Sequence, residues 1–222
     1  MNKLLKFITV FLLFFSMIAC DALESEEDPN ELGGETNIPL NQVGNTFYGS
    51  LQVNGAYVSV DQTMEITSSS NGVINLKVSA NIAQAPELAG IYDLIPAEFK
   101  GENGTIDANL KFKITSEGIQ DFINPDKKAH TIVKYGDDVG AKYSISLSDG
   151  KTVTRTVTAK SDQDDFEYGF YLIKTMTIEQ NSINPGIKKY IIRTNHKFGL
   201  VYAEAILEDG SSVSLLLFPD KY

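Results

Sequence analysis

The chain has 222 residues, 42% of them hydrophobic, 10% aromatic and 22% charged, and its formal charge at pH 7 is −10. That balance excludes wholesale disorder, a collagen-like repeat and a multi-span membrane protein. A single cysteine excludes an internal disulfide framework and a thiolate metal cluster, and the acidic surplus argues against nucleic acid as a partner, because phosphate contacts need a basic surface.

Lys3 and Lys6 precede an uncharged run over residues 7–19 that is rich in Phe, Leu and Ile. As a helix this run would span about 20 Å, short of the ~30 Å hydrocarbon core, so residues 1–19 read as a cleaved signal peptide rather than a membrane span. It ends in Met17-Ile18-Ala19-Cys20. The sequence resembles the lipobox of bacterial lipoproteins, with Met17 where that motif usually carries Leu. The resemblance implies that Cys20 is acylated and becomes the mature N-terminus. Two or three acyl chains, at ~0.8 kcal/mol per buried methylene, would anchor the protein permanently. A lipidated Cys20 is also closed to nucleophilic or redox work.

Asp21, Glu24, Glu26, Glu27, Asp28, Glu31 and Glu35 follow, and no Lys or Arg occurs between Lys6 and Lys77. This acidic tract resembles the surface-export signal of Bacteroidota lipoproteins. The resemblance implies an outer-membrane lipoprotein displayed on the cell surface, with the periplasmic face as the alternative. By chemistry alone, residues 20–45 form a lipidated cysteine followed by a self-repelling, flexible acidic tether, with a mean reach of about 25–30 Å. Losing residues 1–19 removes two lysines and no acids, which takes the charge to −12 and holds the domain off anionic headgroups.

From residue 46 to the end the dominant hydrophobic period is two, which predicts a single β-rich domain over 46–222. Strands are expected at 46–53, 56–60, 63–68, 73–82, 106–114, 128–135, 141–147, 151–159, 166–179, 187–194, 199–207 and 213–218. Asn54-Gly55, Asn71-Gly72, Asp149-Gly150 and Asp209-Gly210 supply hairpin chemistry, since these residues accept positive φ. Two runs are apolar on both faces, Phe170-Tyr171-Leu172-Ile173 and Leu215-Leu216-Leu217-Phe218, and are expected in the middle of a sheet covered on both sides. A two-turn helix is expected at 116–123, with Ser116 as N-cap and Asn124-Pro125 as the stop. Residues 84–104, rich in Pro and Gly, read as a long connection with a short strand near 91–95. The predicted class is all-β, an antiparallel β-sandwich or calycin-like β-barrel of about ten strands with one short helix.

An ungapped offset of 60 residues aligns Ile123-Asn124-Pro125 with Ile183-Asn184-Pro185 and Asp149-Gly150 with Asp209-Gly210. Residues 120–157 and 180–217 are therefore candidates for an internal duplication. Recurrence of Asx-Gly and Asn-Pro turns in any antiparallel protein is the alternative.

Chemistry is sparse. The histidines are His130, in a predicted strand, and His196, in a predicted turn, and both suit a surface or turn role better than general-base work. No nucleophile elbow, zinc-protease motif, P-loop or dinucleotide fingerprint occurs. Asp162, Asp164, Asp165 and Glu167 cluster as a Ca²⁺ site would, but lack EF-hand spacing and read as a solvated turn. Tyr48, Tyr57, Tyr143, Tyr168, Tyr171, Tyr190 and Tyr202 lie in predicted strands, where packing explains most of them better than sugar stacking does. Hence no catalytic, cofactor or metal residue is assigned. The expected function is a lipid-anchored, non-enzymatic envelope domain whose partner beyond the membrane is a glycan, a small molecule or a protein. The alternatives are a calycin-like barrel carrying a small apolar ligand and a carboxylate-dependent glycan hydrolase.

Overall fold

The computed structural model describes residues 30–220. The signal peptide, Cys20 and the first part of the acidic tract lie outside the described residues. All four Asx-Gly pairs form tight turns, and their glycines take φ between 76° and 88°, where other residues would be strained.

The strands are β1 (Thr46–Val53), β2 (Ala56–Val58), β3 (Asp61–Ser70), β4 (Val73–Asn81), β5 (Thr105–Thr115), β6 (Gly118–Asp121), β7 (His130–Lys134) and β8 (Lys142–Ser146). They continue as β9 (Thr152–Lys160), β10 (Phe166–Tyr168), β11 (Tyr171–Ile173), β12 (Met176–Asn181), β13 (Ile187–Asn195), β14 (Gly199–Leu207) and β15 (Ser212–Pro219). All except the β10–β11 hairpin join one antiparallel sheet in the order β7-β6-β5-β4-β3-β1-β15-β14-β13-β12-β9-β8, with β2 beside β1. The sheet curls until its edge strands β7 and β8 meet, so the architecture is a nearly closed barrel rather than a sandwich.

The seam between β7 and β8 carries no ladder, and side chains close it instead. His130 Nε2 donates to the Tyr143 carbonyl at 3.1 Å, and the Lys134 amide donates to Tyr143 Oη at 3.1 Å. The Tyr143 hydroxyl in turn donates to Asp137 at 2.7 Å, and burial, with Asp137 beside it, pushes that phenol up. Asn30 bridges both edges: its amide donates to the Ser144 carbonyl of β8 and accepts from the Thr131 amide of β7. These bonds answer the exposed-edge problem, since the polar groups of an unpaired strand would otherwise template association.

Residues 30–45 therefore differ from the expected flexible tether. Leu32, Leu40 and Asn41 are buried, and Asn41 donates to the Thr36 and Ile114 carbonyls at 2.8 Å each. The domain begins by Asn30, and the acids Glu31 and Glu35 decorate an ordered segment.

Four further expectations are corrected. Residues 116–123 contain strand β6 (Gly118–Asp121), entered through a turn at 116–117, and not a helix. Its four residues are all buried, because β7 lies on one side and the 30–33 segment packs over it, so no alternation shows in the sequence. A Cβ on Gly118 would sit 2.1 Å from the Val133 carbonyl oxygen, so only glycine admits this approach. Residues 166–179 split into β10, β11 and β12, with Gly169 at φ 63° turning the chain. Phe170, Tyr171 and Leu172 are exposed at the tip of a hairpin outside the sheet rather than central, while Tyr168 and Ile173 pack on Val201. Finally, the helical turn lies at Ala89–Tyr92, where a strand near 91–95 was expected.

The 60-residue offset has a structural counterpart. The first residues of β9 and β15, Thr152 and Ser212, are 60 apart, and β6, β7 and β8 overlap β12, β13 and β14 under the same shift. Leu147 N–Lys151 O and Leu207 N–Ser211 O, both 2.8 Å, are corresponding turn bonds. The two sets differ at one place: β12 to β15 form a continuous meander, whereas between β7 and β8 the ladder is broken by the seam.

Candidate functional site

The barrel's two ends are filled differently. Toward the β3–β4 and β5–β6 turns, Ile66, Ile74, Phe112, Ile119, Val157 and Ile178 pack into a solid core. Toward the other end lies a cavity of about 620 Å³, within the 300–1,000 Å³ range of small-molecule sites.

Strand register explains why space remains there. One inward row runs Val157–Ile178–Ile192–Ala203–Leu215–Leu51 across β9, β12, β13, β14, β15 and β1. The next row, nearer the mouth, runs Arg155–Gln180–Tyr190–Ala205–Val213–Val53. In these two rows β14 thus contributes only alanines, where neighbouring strands carry Ile, Leu, Tyr or Val. Glu204 alternates to the other face of β14, beside Tyr202.

The connection between β4 and β5 covers the mouth. Ile82, Ala85 and Leu88 anchor it in a satellite core against Leu51, Val53 and Ile106. From that base Ile91, Leu94, Ile95 and Phe99 line the cavity. Leu94 approaches Gly186, where a Cβ would lie 2.9 Å from its methyl. A 2.8 Å ion pair between Glu98 and Lys127 ties the same segment to the β6–β7 loop. Both are exposed, so this pair contributes little energy and acts mainly as a positional tie.

The opposite wall is polar and charged. Arg155, buried on β9, reaches beneath the seam with three directed bonds. Its Nη2 donates to Asp121 Oδ2 at 2.6 Å, Nη1 to the His130 carbonyl at 2.9 Å, and Nε to Gln180 Oε1 at 2.7 Å. Asp121 also accepts from the Ile123 amide at 3.0 Å. Burial lowers the Arg155 guanidinium's proton affinity, and the Asp121 charge opposes that. His130 is 1% exposed, and burial together with the Arg155 charge pushes its imidazole down to about 4. Because Nε2 faces a carbonyl, the neutral ring carries its proton on Nε2.

His130 is thus buried at the cavity rather than placed at the surface or in a turn, and Arg155 and Asp121 join it there although no motif marked them. A period-two signal for Arg155 did exist: Val153, Arg155 and Val157 alternate inward, which places a cation at a core position. His196 is in the exposed β13–β14 turn, and Asp162, Asp164, Asp165 and Glu167 are exposed on the segment around β10. Among the tyrosines, Tyr143 and Tyr168 are buried, Tyr48, Tyr57 and Tyr171 are exposed, and Tyr190 lines the cavity. The aligned turns at Asn124-Pro125 and Asn184 both reach the cavity lining. No protein-family model, curated protein or solved structure matches the chain.

Proposed function

We propose that this protein is a lipid-anchored envelope barrel that binds a small, largely apolar molecule without chemically changing it. The carrying observation is the 620 Å³ cavity, walled on one side by Leu51, Ala203, Ala205, Val213 and Leu215 and covered by the β4–β5 connection. The hydrolase alternative draws no support from it: of the carboxylates at the lining, Asp121 is paired with buried Arg155, Glu98 is exposed on the covering segment, and Glu204 belongs to the other face of β14. A glycosidase needs two carboxyl groups free to face one bond.

A neutral fluorescent probe, N-phenyl-1-naphthylamine, should brighten on binding the purified protein. Ala203→Phe should fill the space and weaken probe binding about tenfold or more, ~1.4 kcal/mol, while the thermal midpoint stays level or rises. Equal probe affinity in the variant would remove the cavity as the binding site.

The envelope assignment rests on Cys20 and the residues around it. With the barrel starting by Asn30, residues 21–29 allow at most about 30 Å of chain between anchor and domain. The domain then stands close to the outer membrane, on the cell surface or its periplasmic face. Metabolic labelling with a tagged fatty acid should mark the wild-type protein and not Cys20→Ser; equal labelling of both would refute anchoring at this residue.

A further inference from the structure

The cavity is divided lengthwise by the strand register. Arg155, Gln180 and Tyr190 adjoin one another on β9, β12 and β13, whereas Ala203, Ala205 and Leu215 occupy the wall made by β14 and β15. A wholly apolar ligand would leave the first wall facing hydrocarbon.

The hydrogen bonds state what that wall asks for. Gln180 receives Arg155 on its carbonyl, and its amide NH₂ makes no hydrogen bond among the described residues. Tyr190 Oη accepts from Asn184 at 3.0 Å, which leaves its own O–H to donate. Donors therefore face the cavity and call for ligand oxygens. The electrostatics set the charge of those oxygens. The one buried cation among the described residues, Arg155, is already balanced by Asp121 at 2.6 Å, and His130 is uncharged at neutral pH. An ionised ligand group would enter with no counter-charge of its own, which a buried site penalises heavily.

Resting on the ligand-binding reading above, we infer that the ligand is an uncharged amphiphile, hydroxyl- or carbonyl-bearing, lying with its polar edge along Arg155, Gln180 and Tyr190 and its hydrocarbon against β14 and β15. A fatty acid or an alkyl amine of the same length is excluded by charge rather than by size.

The test displaces bound N-phenyl-1-naphthylamine from the mature protein with dodecanol, dodecanoate or dodecylamine, at neutral pH and below their aggregation concentrations. Dodecanol should compete at about tenfold lower concentration than either ionised analogue. In Gln180→Leu/Tyr190→Phe that preference should shrink to about threefold or less, read as the ratio of the displacing concentrations after scaling to that variant's own probe affinity. Dodecanoate or dodecylamine binding as tightly as dodecanol would overturn the inference, as would a bound probe that dodecanol fails to displace. A protein that does not bind the probe at all would instead sink the cavity reading on which this one stands.

Discussion

Replacing Arg155 by methionine is expected to cost about 3–5 kcal/mol of unfolding free energy, the usual range for breaking a buried ion pair from one side. The side chain is 7% exposed, and its loss would strand the Asp121 carboxylate, the His130 carbonyl and the Gln180 amide oxygen together. The location raises the stakes. Asp121 and His130 belong to β6 and β7 on one side of the seam, Arg155 to β9 on the other. The pair therefore supports barrel closure, where no backbone ladder does so. Arg155→Met/Asp121→Leu should recover most of the loss, because apolar residues of similar volume replace a buried pair at little or no net cost. Urea unfolding followed by circular dichroism measures both. A single variant within about 1 kcal/mol of wild type would mean that water reaches the pair and carries the solvation that Arg155 is assigned here.

The same residues show how far sequence reasoning reaches. Alternation located the long strands well, because one face of each is buried and the other wet: β1, β4, β5, β9, β14 and β15 fall within one or two residues of their expected bounds. Turn chemistry was equally legible at the Asx-Gly pairs, where a positive φ has few residue solutions. Failures occurred where that contrast vanishes. In β6 both faces are covered, and the Asn124-Pro125 turn after it suggested a helix stop. In Phe170-Tyr171-Leu172, apolar composition suggested a doubly buried strand, yet a hairpin tip exposes all three. The cavity was illegible for a different reason. It arises from register across six strands, since Ala203 and Ala205 leave space only because Ile192, Leu215 and their row-mates stand opposite. A linear sequence does not state which strands are neighbours. The seam, likewise, depends on β7 and β8 being consecutive in the chain yet unpaired in the sheet.

Acidification from pH 6.5 toward 4 is expected to remove up to about 3 kcal/mol of stability through His130 alone. The imidazole's ordinary value is 6.5, and in the folded barrel it lies at about 4. Above pH 6.5 neither state binds the proton, and the full contribution is present. Between 6.5 and 4 the unfolded chain takes it up while the folded chain refuses it, so stability falls as pH falls. The cause is first the loss of water around a ring that is 1% exposed, then the Arg155 charge; Asp121, its pair partner across β6 and β7, pulls weakly the other way. His130→Gln keeps an N–H for the Tyr143 carbonyl but cannot titrate. Carboxylates elsewhere respond to acid in both proteins, so the informative quantity is the difference between the two urea-derived stabilities at each pH. That difference should shift by about 3 kcal/mol, in favour of the variant, between pH 7.5 and 4. Parallel pH curves would show that the folded ring accepts a proton as readily as the unfolded one, and that the polar wall carries a charge which Asp121 alone does not balance.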